Sequence, residues 1–225
     1  MMQATPVTQQ NNSGEEFHLA TRWAAQFFSY LFHPLFIPLY MTLFLEYVHP
    51  SYFTGFSNYE KGNILIQIGM NTIFYPVITL LLLKGLKFID SLFLRTQKDR
   101  IIPYISSSIF FFWAFFAIHG QDFIPPVLVA FVFGIFLAAS AALTFNIYFK
   151  ISMHAIGMGG VIGLFFVIQN SNTMLMTWPL SLAFLITGIV CTSRMILHEH
   201  RPKEIYWGII LGMVSQFVGA AMFGG

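Results

Sequence analysis

The chain has 225 residues, 56% of them hydrophobic and 9% charged, with mean hydropathy +0.70 and a formal net charge of +2. A soluble domain carries about 25% charged residues. Eleven basic and nine acidic side chains cannot coat a water-facing surface of this size. A soluble globular, a disordered and a nucleic-acid-binding protein are thereby excluded, and an integral membrane protein with several spans remains. The single cysteine, Cys191, excludes an internal disulfide and a cysteine-based metal cage.

Residues 1–16 are polar and lack the basic start of a secretory signal, so they are expected to form a flexible, uncleaved tail. Residues 17–225 then divide into apolar stretches, each to be compared with the roughly 20 residues that a spanning helix needs. The first, 23–48, is interrupted by Pro34 and Pro38, which points to a break and an interfacial helix before it. The others are 63–83, 101–118, 123–149, 152–168, 174–192 and 202–223. Short loops join them, and no period-2 alternation suggests a barrel. The expected fold is an all-α polytopic transmembrane bundle of six to seven spans in a single domain.

Alternating crossings place the N-terminus and the segments around 84–103, 150–154 and 193–204 on one side. That side holds ten of the eleven basic residues but six of the nine acidic ones. The positive-inside rule would put it in the cytoplasm. Short loops suggest a bacterial inner membrane. Trp23, Trp178 and Trp207 lie near segment ends and read as interface anchors.

Three polar clusters fall on the basic side. The last reads Ser193-Arg194, five residues, His200, three residues, Glu204. Pro202 suits the first position of a helix, where its missing N–H would be unpaired anyway. Glu204 then stands in the first turn, where the helix dipole favours a carboxylate. From there it could reach back to one nitrogen of His200, fix its tautomer and leave the other nitrogen nucleophilic. Arg194 offers a planar fork for phosphate oxygens. The plainer reading is a capped helix start with an interfacial His and Arg.

The middle cluster is Lys150-Ile151-Ser152-Met153-His154, followed by Gly157, Gly159, Gly160 and Gly163. Ser152 at a helix mouth can help to bind an anion, and His154 can protonate a leaving oxygen. Gly159 and Gly163 form G-x-x-x-G and are read first as a close helix contact. The first cluster runs from Arg95 to Pro103, with Pro103 expected at a helix start and Lys98 and Arg100 as phosphate-neutralising cations. His33 invites two readings, an intramembrane functional group or a neutral ring bonded to a carbonyl freed by Pro38. The second is preferred.

In order, the chain presents a basic cluster, Ser-x-His and Arg-x5-His-x3-acid. This order resembles the type 2 phosphatidic acid phosphatase superfamily, which shares a helical core with vanadium haloperoxidases. That family's signature is K-x6-R-P, then P-S-G-H, then S-R-x5-H-x3-D. The third motif matches at Ser193, Arg194 and His200, with Glu204 for Asp. The second keeps Ser152 and His154, while Ile151 and Met153 replace Pro and Gly. In the first, Arg100 is followed by Pro103 rather than by an adjacent Pro, and Phe93 stands where the Lys would be. The resemblance covers roughly residues 95–215.

The resemblance implies a hydrolase for lipid phosphates or isoprenoid pyrophosphates that needs no cofactor or metal. His200 would form a phosphohistidine, Glu204 would orient it, and His154 would protonate the leaving oxygen. Lys98, Arg100, Ser152 and Arg194 would bind the phosphate. Partners would be the lipid substrate and membrane lipids. An inactive relative that binds or transports phosphate-bearing lipids is the alternative, prompted by the altered motifs. A metal site at His154, His198 and His200 is a lesser one, prompted by the His-x-His spacing.

Overall fold

The computed structural model describes residues 17–89, 97–171 and 175–224. Every regular element among them is helical. Six helices are long and apolar enough to cross a membrane: Asn58–Gly85, Arg100–His119, Pro126–Tyr148, Met153–Asn170, Thr177–Ile196 and Pro202–Phe223. The chain is a multi-pass membrane protein with an all-α bundle.

The first apolar stretch breaks where the prolines predict. Helix α1 spans Leu19–Leu31, and the chain then turns through residues 32–36. Helix α2, Ile37–Leu43, starts with Pro38 near its N-terminus and runs on through a π turn, Phe44–Val48. Together Ile37–Val48 form an apolar helix shorter than a full span. It descends along α7 (Met153–Ser171): Ile37 and Pro34 lie against Gly157, and the Phe44 ring is 4.7 Å from that of Phe165.

The next span is one rod built of α3 (Asn58–Gly69), a π turn (Met70–Phe74) and α4 (Tyr75–Gly85). A capping box starts it. Ser57 Oγ accepts the Glu60 N–H, and the Glu60 carboxylate accepts the Ser57 N–H at 2.8 Å. The π turn ends two residues before Pro76, whose missing N–H would otherwise leave an α-helical carbonyl without a donor.

Four long helices follow: α5 (Gln97–His119), α6 (Pro126–Tyr148), α7, and α8 (Thr177–Ile196), before α9 (Pro202–Phe223) closes the bundle. Pro103 lies inside α5 rather than at its start, because the helix extends back through the polar residues from Gln97. Pro126 and Pro202 do open α6 and α9, where a proline costs nothing.

Helices α6 and α7 are the most enclosed spans, and α9 packs on both. Glycine makes that contact possible. A Cβ on Gly159 of α7 would collide with the Ile209 carbonyl of α9, and one on Gly212 with the Ile156 carbonyl of α7. Gly163 would meet the Met213 backbone at 3.0 Å, and Gly208 the Ser152 carbonyl at 2.9 Å. Lipid offers no hydrophobic drive between helices, so close backbone approach and van der Waals contact must hold them. The same closeness buries Gln216, whose amide lies against Gly134 and donates to the Phe131 carbonyl at 3.5 Å.

Gly212→Leu should therefore separate α7 from α9 and cost about 1–3 kcal/mol or more. Gly188 of α8 is the control, since a Cβ there meets nothing within 4 Å. Thermal unfolding in detergent should show a large drop for Gly212→Leu and none for Gly188→Leu. Equal melting temperatures would mean that the contact is not limiting.

Candidate functional site

The glycine contact sets the N-termini of α7 and α9 side by side. The Ser152 N–H donates to the Glu204 carbonyl at 3.4 Å, so the two helix starts are tied by backbone. Ser152 is fully buried, and its hydroxyl accepts the Ala155 N–H at 3.4 Å as an N-terminal cap of α7.

Before α9, the end of α8 shapes the chain. His198 adopts a left-handed conformation with φ 54°. Its N–H donates to the Met195 carbonyl at 2.9 Å, and the Glu199 N–H donates to the Arg194 carbonyl at 3.1 Å. This pair of bonds is a Schellman closure of α8. It folds Glu199 back over Arg194 and delivers His200 to the mouth of α9. The His198 ring itself faces Phe17, with centroids 6.2 Å apart.

His200 is buried, and its Nδ1 lies 2.7 Å from Glu204 Oε2. The carboxylate can only accept, so Nδ1 carries the hydrogen and Nε2 keeps its lone pair. Glu204 also accepts the Arg201 N–H at 3.4 Å, which anchors it in the first turn of α9. Burial lowers the His200 pKa well below the ordinary value, and Lys150, Arg194 and Arg100 push it the same way. The ring is thus held as a neutral imidazole with one bonded and one unprotonated nitrogen.

Cations from three elements surround it. Lys150 Nζ donates to the Glu199 carbonyl at 2.8 Å and lies 3.8 Å from its carboxylate. Arg194 is also 3.8 Å from that carboxylate, and its buried Nε has no hydrogen-bond partner. Arg100 donates to the Ile151 carbonyl at 3.4 Å, tying α5 to the loop before α7. Burial, then Arg100, lowers the Lys150 pKa, while Glu199 and Glu204 oppose the shift. Glu199 thus lies between two cations, where an external anion would compete with it.

His154 enters from α7. Its Nε2 is 3.0 Å from the Ser29 carbonyl, so this nitrogen bears a hydrogen and donates it. Arg194, His33 and Arg100 are its charged or ionisable neighbours. The His33 ring meets it edge-on at 5.4 Å, and His33 Nδ1 accepts the Leu35 N–H at 3.4 Å. Through Nδ1, His33 therefore binds a local amide, and it belongs to the cluster's edge.

His200, Glu204, His154, Arg194, Arg100 and Ser152 thus gather at one end of the bundle. Lys98 lies in the first turn of α5, but its side chain lies outside the described residues, as does Arg95 altogether. Ser193 points elsewhere: its hydroxyl donates to the Ile189 carbonyl at 2.8 Å. Lys150 and Glu199 join the site without having been singled out as binding residues. Lys150 stands directly before the Ser-x-His pair, but nothing in the sequence tells which way it folds. Among the described residues no group of three His, Cys, Asp or Glu side chains gathers as a metal-binding set.

No family model, curated protein or solved structure matches the chain.

Two outcomes follow from this geometry. Glu199→Gln removes the competing carboxylate, so affinity for inorganic phosphate should rise roughly two- to fivefold, the scale of a partly exposed ion pair. Calorimetric titration of both proteins measures this, and unchanged affinity would show that Glu199 does not compete. The second concerns pH. The His200 pKa is depressed in the folded state, so the unfolded chain takes up its proton first as pH falls below the ordinary 6.5. Stability is fully present above pH 6.5 and is lost progressively towards the folded pKa. The melting temperature should fall between pH 7 and 5, and His200→Gln should flatten that decline.

Proposed function

We propose that the protein is an integral-membrane phosphatase that hydrolyses a lipid phosphate or isoprenoid pyrophosphate through a phosphohistidine at His200. The observation that carries this reading is the 2.7 Å His200–Glu204 bond inside a ring of cations. A neutral imidazole with a fixed tautomer is a nucleophile, and the cations match the charge on the phosphoryl oxygens.

In this scheme the Nε2 lone pair of His200 attacks phosphorus and the bond to the leaving oxygen breaks. Arg194, Lys150 and Arg100 hold the non-bridging oxygens, with the Arg194 Nε as an uncommitted donor. Lys98 remains a candidate from the start of α5. The Ser152 hydroxyl, which accepts from Ala155, still has its own hydrogen to give. The leaving oxygen takes a proton from His154. Because Nε2–H is held by Ser29, that proton is one on Nδ1, passed there by the incoming phosphate monoanion and carried away again with the product phosphate. Water then attacks phosphorus, the P–N bond breaks, and the proton of that water returns to His154. Inorganic phosphate leaves and His200 is regenerated. Every step uses side chains of this chain.

The site lies at the membrane end of the helices rather than outside the bundle, which suits a phosphate carried on a lipid. The excess of basic residues at this end favours a cytoplasmic orientation.

The second reading is a protein that binds phosphate-bearing lipids without turnover. Two observations favour it: the His154 Nε2–H is spent on Ser29, and Glu199 already bridges two of the cations.

Purified protein in detergent, with EDTA present, should release phosphate from phosphatidic acid, phosphatidylglycerophosphate or undecaprenyl pyrophosphate. His200→Ala should lower the rate at least about a thousandfold, as expected for loss of a nucleophile. Acid-labile label from a 32P substrate should appear on the native chain alone. Full activity of His200→Ala would end the phosphohistidine scheme. Absence of release, with retained lipid binding, would establish the second reading.

A further inference from the structure

A groove of about 500 Å3 runs between α1 and α8. Thr21, Ala24 and Phe28 line it from α1, and Leu185, Gly188 and Thr192 from α8. On each helix these residues recur at spacings of three and four, so the groove follows one face of each. Thr21, Ala24, Leu185, Gly188 and Thr192 are exposed, so it opens to the outside of the bundle, where lipid lies.

Its occupant is indicated by what lies beside it. Ser193 lines the groove, and the next residue is Arg194. In α1, Phe28 lines the groove and the next two residues meet the cluster: the Ser29 carbonyl accepts the His154 Nε2–H, and Tyr30 lies within electrostatic reach of Arg194. Both helices that form the groove therefore also reach the cationic cluster. A largely apolar groove beside a cationic cluster matches an amphiphile with an anionic head. Ala24, Gly188 and Thr192 leave room for a chain between the larger side chains of Phe28, Phe184 and Leu185.

We propose that the groove between α1 and α8 seats one hydrocarbon chain of the lipid whose phosphate sits on Arg194 and Lys150. This rests on the phosphate-site reading above and adds where the lipid enters, from the side between these two helices. A chain leaving bilayer for groove gains little transfer energy, since both are hydrocarbon. The groove's contribution is positioning: it brings the phosphate to His200 in one orientation.

Gly188→Trp tests this. A Cβ at this position meets nothing within 4 Å, and removing a glycine from a helix interior favours folding. Activity is compared on dioleoyl phosphatidic acid in micelles and on water-soluble phenyl phosphate. For Gly188→Trp, kcat/KM on the long-chain lipid should fall at least about tenfold. On phenyl phosphate it should stay within about twofold, and Gly188→Ala should resemble the native protein on both. Unchanged use of the long-chain lipid by Gly188→Trp would overturn the proposal. Binding of a long-chain dialkyl phosphonate, read by native mass spectrometry, separates this from the phosphatase reading. Loss of phosphonate binding in Gly188→Trp, with inorganic phosphate still bound, supports the groove even if the native protein hydrolyses nothing. Equal phosphonate binding by both would refute it.

Discussion

The contact between α7 and α9 is the constraint on which the site depends. Gly159, Gly208 and Gly212 let the two backbones approach until a single Cβ would collide with a facing carbonyl. This closeness is more than a packing device. Each helix carries its polar residues at its N-terminus, so bringing the helices together also brings together Ser152 and His154 from one and His200 and Glu204 from the other. A backbone bond from Ser152 to Glu204 marks the join. In hydrocarbon, where helices gain nothing by hiding apolar surface from each other, such backbone proximity is a main source of specificity.

Around this join, one turn determines the electrostatics. The left-handed His198 ends α8 and reverses the chain within a few residues. Glu199 is thereby laid across Lys150 and Arg194, and His200 is placed where Glu204 can bond it. The cluster has cations in excess, and they disfavour a further positive charge on the buried imidazole. The same excess is electrostatically favourable to an anion. One arrangement thus keeps the histidine neutral and sets it beside cations.

Helix α1 gives the site its third wall. Its last turns supply Ser29 and Tyr30, and the loop after it supplies His33. The prolines that stop this segment from spanning as one rod are the reason it is free to pack along α8. A continuous first helix could not both lie on α8 and pass down α7, as α1 and α2 do between them.

Much of this was legible in the sequence. The apolar runs are long enough to specify helices, because each must satisfy its own backbone within lipid. Pro202 and Glu204 are separated by the distance that a helix start requires, so the His200–Glu204 bond is local and readable. The G-x-x-x-G of Gly159 and Gly163 marked a close contact, though not its partner. Pro103 misled, because polar residues before it continued the helix and no local signal forbade them. The partnership of Ser29 with His154 spans 125 residues, and that of Lys150 with Glu199 spans 49. Neither follows from spacing. Local periodicity and capping fixed which segments are helices and where they begin. Which helix ends meet, and hence which charges surround His200 and where a groove remains open, was decided only by packing, because those contacts join residues that chain order keeps apart.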